Sequence, residues 1–137
     1  MTRAVLVTGA SRGIGRAIAQ AFASQGDRVA VHHRDSAALA EEVVADLDVL
    51  LMMTVNPGFG GQTYLPAGNE KIRRARDLLS EHGSRAFLEV DGGITTHTIA
   101  AAHAAGADTF VAGNAVFTSS DPGAEVRALR QRCLVTV

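Results

Sequence analysis

Glycine-rich turns carry the residues of this sequence best suited to chemistry on an anion. The first, TGASRGIG, runs from Thr8 to Gly15. Gly9 permits a tight turn, Gly13 lets the backbone approach a pyrophosphate, and Gly15 leaves room for close helix packing beneath it. The helix that opens here aims its free N–H groups at the anion. A second stretch, TVNPGFGGQ, runs from Thr54 to Gln62, and shorter glycine turns follow in VDGG at Val90–Gly93 and AGN at Ala112–Asn114. His32 and His33 have no carboxylate or cysteine at ligand spacing, so no metal site is expected. The lone Cys133 excludes an internal disulfide framework and suits a reducing compartment.

These turns need elements to hold them. At 137 residues the chain is long enough for one α/β domain over residues 1–137 and too short for two. With 13 basic and 14 acidic residues there is no general field for nucleic acid or an anionic membrane, so anion binding must be local. No apolar run reaches the length of a signal peptide or a membrane span, and a cytoplasmic protein is expected. Short apolar runs alternate with segments of helical spacing, the pattern of βα units feeding a parallel sheet. Strands are expected over 4–8, 28–32, 49–55, 86–90 and 109–112, and helices over 13–25, 36–46, 68–82, 96–105 and 122–132. Nearly all-apolar strands imply that helices cover both sheet faces.

TGASRGIG, with its Gly-x-x-x-Gly-x-Gly spacing after a strand, resembles the cofactor loop of the short-chain dehydrogenase/reductase family, of the ketoacyl-reductase kind. The resemblance spans residues 1 to about 46 and implies a dinucleotide site made by Gly9, Ser11, Arg12, Gly13, Ile14 and Gly15. Arg34 follows the second strand, at the position where that family tests the ribose. With Arg12 it suits a 2′-phosphate, so the implied cofactor is NADP. The family's Tyr-x-x-x-Lys pair is missing, because the only tyrosine, Tyr64, has Gly68 four residues on.

From about residue 47 the character changes. LDVLLMMTVNPGFGGQ, FLEVDGGI and GADTFVAGNAVF resemble the last three strands and loops of the ribulose-phosphate 3-epimerase family, a (β/α)8 barrel. That resemblance implies a phosphate cradle of backbone N–H groups at Gly60, Gly61, Gly92, Gly93, Gly113 and Asn114. It also implies that Asp91 is an acid/base and metal ligand, and that Met53 faces the active site. Epimerisation beside a carbonyl needs two carboxylates on opposite faces of the substrate. The family draws its second aspartate and two histidines from strands for which this sequence shows no counterpart.

Joining the two parts gives a single five-stranded parallel sheet in three αβα layers, with the flavodoxin-like, Rossmann-like order 2-1-3-4-5. The expected protein is an engineered chimera of fragments 1–46 and 47–137, without a complete catalytic site or required cofactor, that binds phosphate, sulfate or a small phosphorylated ligand. Two alternatives stay open: residual isomerisation of a phosphorylated ketopentose by Asp91, and NADP binding without turnover. Glu89, on the same strand face as Asp91, would be buried against helices and need Arg16, Arg127 or Arg130 as partner. Exposed sheet edges predict a homodimer.

Overall fold

A computed structural model describes residues 4–8, 13–32, 44, 47–56 and 58–134. The elements run β1 (Ala4–Thr8), α1 (Gly13–Ser24), β2 (Arg28–His32), β3 (Val49–Met53), α2 (Gly68–Glu81), β4 (Phe87–Asp91), α3 (Ile99–Ala104), β5 (Thr109–Val111), α4 (Gly113–Phe117) and α5 (Pro122–Leu134). The helix expected over 36–46 lies outside the described residues, apart from the buried Val44.

All neighbouring strands are parallel, and the sheet order is β1-β2-β3-β4-β5. The expected order 2-1-3-4-5 is therefore corrected. β3 pairs with β2 through Ala30↔Val49, Val31↔Leu50 and His32↔Leu51 rather than with β1. Among the described strands each new strand is added on the same side of the one before, and right-handed crossovers that advance in one direction place the helices they contain on one side of a sheet. Helix α1 packs on β1 and β2, α2 on β3, β4 and α3, and α5 on α3 and α4.

Strand alternation shows the same one-sidedness. Leu50, Leu88 and Val90 are buried against the helices, while Leu51, Glu89 and Asp91 are only half-buried and Val111 is exposed. The expectation of three layers fails for this reason: among the described residues one sheet face is covered. Register adds curvature. β1 and β2 start level at Ala4↔Arg28, β3 begins two residues along at Ala30↔Val49, β4 is level at Val49↔Phe87, and β5 begins two along at Glu89↔Thr109. A stagger averaging about one residue per strand is that of an α/β barrel wall.

The core lies between this wall and the helices. Helix α2 buries Gly68, Ile72, Ala75 and Leu79, one stripe at helical spacing, against Leu50 and Leu88. At the amino-terminal end of the strands, Arg76 Nε donates to the Gly106 carbonyl at 2.8 Å and its Nη2 to Asp108 Oδ2 at 2.6 Å. Asp108 Oδ1 in turn accepts from the Leu88 N–H at 3.0 Å. Thus α2 is tied to both β4 and the turn before β5.

Glu89 occupies the uncovered face, half-buried, with no ion-pair partner among the described residues. The expected burial beside Arg16, Arg127 or Arg130 is corrected. Arg127 instead lies 3.9 Å from Asp121.

Candidate functional site

At the carboxyl ends of β3, β4 and β5 the three following loops enclose a cleft of about 950 Å³. Its floor is a single row. Met53, Asp91 and Val111 are in register across the three strands, so their side chains share the uncovered face at the level where the strands end. Asp91 is the only formally charged residue lining the cleft among the described residues.

The loop after β3 is fastened to itself by Gln62, whose Nε2 donates to the carbonyls of Asn56 at 2.6 Å and Phe59 at 2.8 Å. Phe59 is left exposed at the rim, as is Phe117 from α4. Gly61 brings this loop against the one after β5: a Cβ placed there would sit 3.6 Å from Asn114 Oδ1.

The loop after β4 is the most constrained. Gly92 has φ 124°, and a Cβ on it would fall 2.6 Å from a Val55 methyl. Gly93 has φ 66°, and a Cβ on it would fall 2.3 Å from the backbone nitrogen of Tyr64. Only glycine meets both the backbone angle and the close approach. Beyond it, Thr98 Oγ1 donates to the Gly93 carbonyl at 2.8 Å and accepts from the Thr95 N–H at 2.9 Å. This hydroxyl-bonded turn delays α3 until Ile99 rather than the expected 96.

Among the described residues the N–H groups of Gly60, Gly61, Gly92, Gly93, Gly113 and Asn114 find no acceptor. All six residues line the cleft. The structure thus brings the six expected cradle residues to one cavity, together with Asp91 and Met53. Free backbone donors beside one carboxylate can hold an anion without a basic side chain.

The expected dinucleotide residues are not part of it. Gly9, Ser11, Arg12 and Arg34 lie outside the described residues, while Gly13, Ile14 and Gly15 open α1 with Ile14 exposed. None of these three lines the cleft, and β2 stands between β1 and β3. The two glycine loops consequently do not flank a switch point as the order 2-1-3-4-5 implied. His32 ends β2, and His33 lies outside the described residues. No group of three or more His, Cys, Asp or Glu able to hold a metal ion occurs among the described residues. Among the described residues Asp91 also has no second acidic, histidine or cysteine ligand on the cleft wall. The metal implied for Asp91 does not fit this donor set among the described residues.

Three contributors escaped sequence reasoning. Thr54, 1 % exposed, lies behind the cleft and bonds to its β4 loop. Tyr64 packs over Gly93, and its hydroxyl donates to Asn69 Oδ1; burial pushes its phenol above the ordinary value. Phe117 belongs to α4, five residues that read as a loop. A polar residue ending the apolar run VLLMMT was the available signal for Thr54.

No helix among the described residues is long and apolar enough to cross a membrane. The model of the ribulose-phosphate 3 epimerase family matches residues 11–117. A ribulose-phosphate 3-epimerase of Mycobacterium leprae (strain TN) is 44% identical over 91 residues, which cover 66% of this chain and 41% of that protein. The Escherichia coli (strain K12) ribulose-phosphate 3-epimerase is 49% identical over 79 residues, covering 58% of this chain and 35% of that one. The chain thus spans about two fifths of the length of these relatives, or less. Among solved structures, a 3-hexulose-6-phosphate synthase superposes with TM-score 0.63 at 27% identity, over 94% of this chain and 61% of its own. Another, from Salmonella typhimurium, has TM-score 0.60 at 23% identity, covers 96% of this chain and 61% of its own, and shows the fold alone.

These matches overturn the expectation of an engineered chimera without a complete catalytic site. The matched range begins at residue 11, extends across the boundary drawn near 47, and gives the reductase and NADP expectation no support. With that range and the continuous strand order from β1 to β5, the chain belongs to the ribulose-phosphate 3-epimerase family.

Proposed function

We propose that the cleft binds a phosphorylated ketopentose and that Asp91 moves a proton at the carbon beside its carbonyl. The observation that carries the reading is that six residues whose N–H groups have no acceptor among the described residues line a single cavity with one carboxylate. The phosphate dianion accepts from these backbone donors in place of water, a charge-assisted exchange that fixed donors favour.

Asp91 then takes the proton from the carbon, and the C–H electron pair shifts toward the carbonyl oxygen to give an enediolate. Once the Asp91 carboxyl has exchanged that proton with water, return of a proton to the same face restores the substrate with a solvent hydrogen. Return to the opposite face inverts the centre. The described residues supply one of the two proton-transfer groups that inversion requires. Met53, beside Asp91 on the cleft floor, and the exposed rim residues Phe59 and Phe117 offer apolar surface around the sugar.

Exchange of the C3 hydrogen of ribulose 5-phosphate with solvent deuterium tests the reading. The wild-type chain should catalyse exchange, and Asp91→Asn should abolish it while still binding inorganic phosphate. Exchange undiminished in Asp91→Asn would refute the role given to Asp91.

A further inference from the structure

Thr54 stands at the end of β3, directly behind the turn Asp91–Gly93, and is absent from the cleft surface. Its N–H donates to the Asp91 carbonyl at 2.9 Å, and its hydroxyl donates to the Gly92 carbonyl at 2.6 Å. Both carbonyls of two successive peptide units are therefore drawn toward Thr54. In a planar trans peptide the N–H points opposite to the C=O of the same unit. The N–H of Gly92 belongs to the first unit and that of Gly93 to the second, so both are turned away from Thr54. Gly92 and Gly93 both line the cleft, whereas Thr54 does not.

Glycine cannot impose this orientation by itself, because it rotates freely through conformations closed to other residues. We infer that Thr54 is a positioning residue, whose hydroxyl locks the Gly92–Gly93 peptide so that the Gly93 N–H, with that of Gly92, faces the phosphate. It also fixes the backbone from which the Asp91 carboxylate projects. This inference rests on the reading of the cleft as a sugar-phosphate site.

The Thr54 methyl has a separate task in packing. A Cβ placed on Gly68, at the start of α2, would lie 2.9 Å from Thr54 Cγ2. Hydroxyl and methyl can therefore be removed one at a time. Thr54→Val keeps the shape and deletes the donor, whereas Thr54→Ser keeps the donor and deletes the methyl.

The experiment uses the full chain and two readouts by NMR: the order parameters of the Gly92 and Gly93 N–H vectors without ligand, and the affinity for inorganic phosphate. Thr54→Val should lower both order parameters and weaken phosphate about tenfold, the loss of one well-aligned donor set. Thr54→Ser should leave affinity within about twofold of wild type, a difference of a few tenths of a kcal/mol, even where its melting temperature falls. If Thr54→Val does not fold, Thr54→Ser against Thr54→Ala makes the same comparison, since both lack the methyl. Unchanged order parameters in Thr54→Val, or phosphate binding in Thr54→Ser as weak as in Thr54→Val, would overturn the inference. Failure of the wild-type chain to bind phosphate would sink the cleft reading alone, because the order parameters still report whether Thr54 restrains the turn.

Discussion

Gly93 lies so close under Tyr64 that a Cβ on it would stand 2.3 Å from the Tyr64 backbone nitrogen. The obstacle is main chain rather than a flexible side chain, so a substitution must move either the β4 loop or the segment leading to α2. Gly93→Ala also forces alanine to φ 66°. The expected cost is roughly 2–4 kcal/mol, from backbone strain and overpacking together. A denaturant titration should show the midpoint falling, and phosphate affinity should fall with it. A midpoint equal to wild type would mean that the loop does not pack in this way.

Tyr64 gives the protein a specific alkaline weakness. Burial raises its phenol above the ordinary value of 10.0. Below that pH both folded and unfolded chains hold the proton, and the stability linked to this group is intact. As pH rises through 10.0 the unfolded chain loses its proton first, so stability falls until the raised folded-state value is passed. Because this is the only tyrosine, phenolate absorbance reports it alone. The absorbance should titrate later in the folded protein than in denaturant. Tyr64→Phe should flatten the decline in melting temperature above pH 10.0.

Strand positions were legible in the sequence, because apolar runs ending in glycine turns mark them, whereas the grouping of those glycines into a cradle was implied only by the resemblance to the epimerase family. Strand order was not legible. VLLMM reads as a strand covered on both sides, yet only Leu50 of β3 is buried. The inner face of a barrel wall is itself apolar, so hydrophobicity does not separate an arc from a three-layer sheet. FLEVD held the better clue, since buried Leu88 and Val90 alternate with half-buried Glu89 and Asp91. Thr54 was hidden for another reason: its role depends on two carbonyls that lie 37 and 38 residues further on.

Asp108 is expected to matter for stability and not for the cleft. Its carboxylate accepts from Arg76, the Leu88 N–H and Thr109 Oγ1, at the end of the sheet opposite the site. Asp108→Ala leaves the half-buried Leu88 N–H contact and the Arg76 guanidinium without this acceptor. The expected loss is about 1–3 kcal/mol, moderated by the partial exposure of the ion pair. Thermal unfolding should register that loss, while phosphate affinity measured well below the melting temperature should match wild type.

Glu89 and Asp91 share a strand face two residues apart, yet they should respond differently to neutralisation. Glu89 faces the uncovered side of the sheet, between Leu51 and Thr109 in register, and has no ion-pair partner among the described residues to lose. It also does not line the cleft. Had the sheet been sandwiched between two helical layers, Glu89→Gln would have relieved or broken a buried charge pair, with a change of several kcal/mol. On the open face of a barrel wall the same change removes one partly solvated charge, so stability should shift by less than about 0.5 kcal/mol. Asp91→Asn should be equally mild in stability but should eliminate hydrogen exchange at the sugar carbon. Parallel melting and exchange measurements on the two variants separate position on the face from position in the site. A large stability change in Glu89→Gln would show that something covers this side of the sheet.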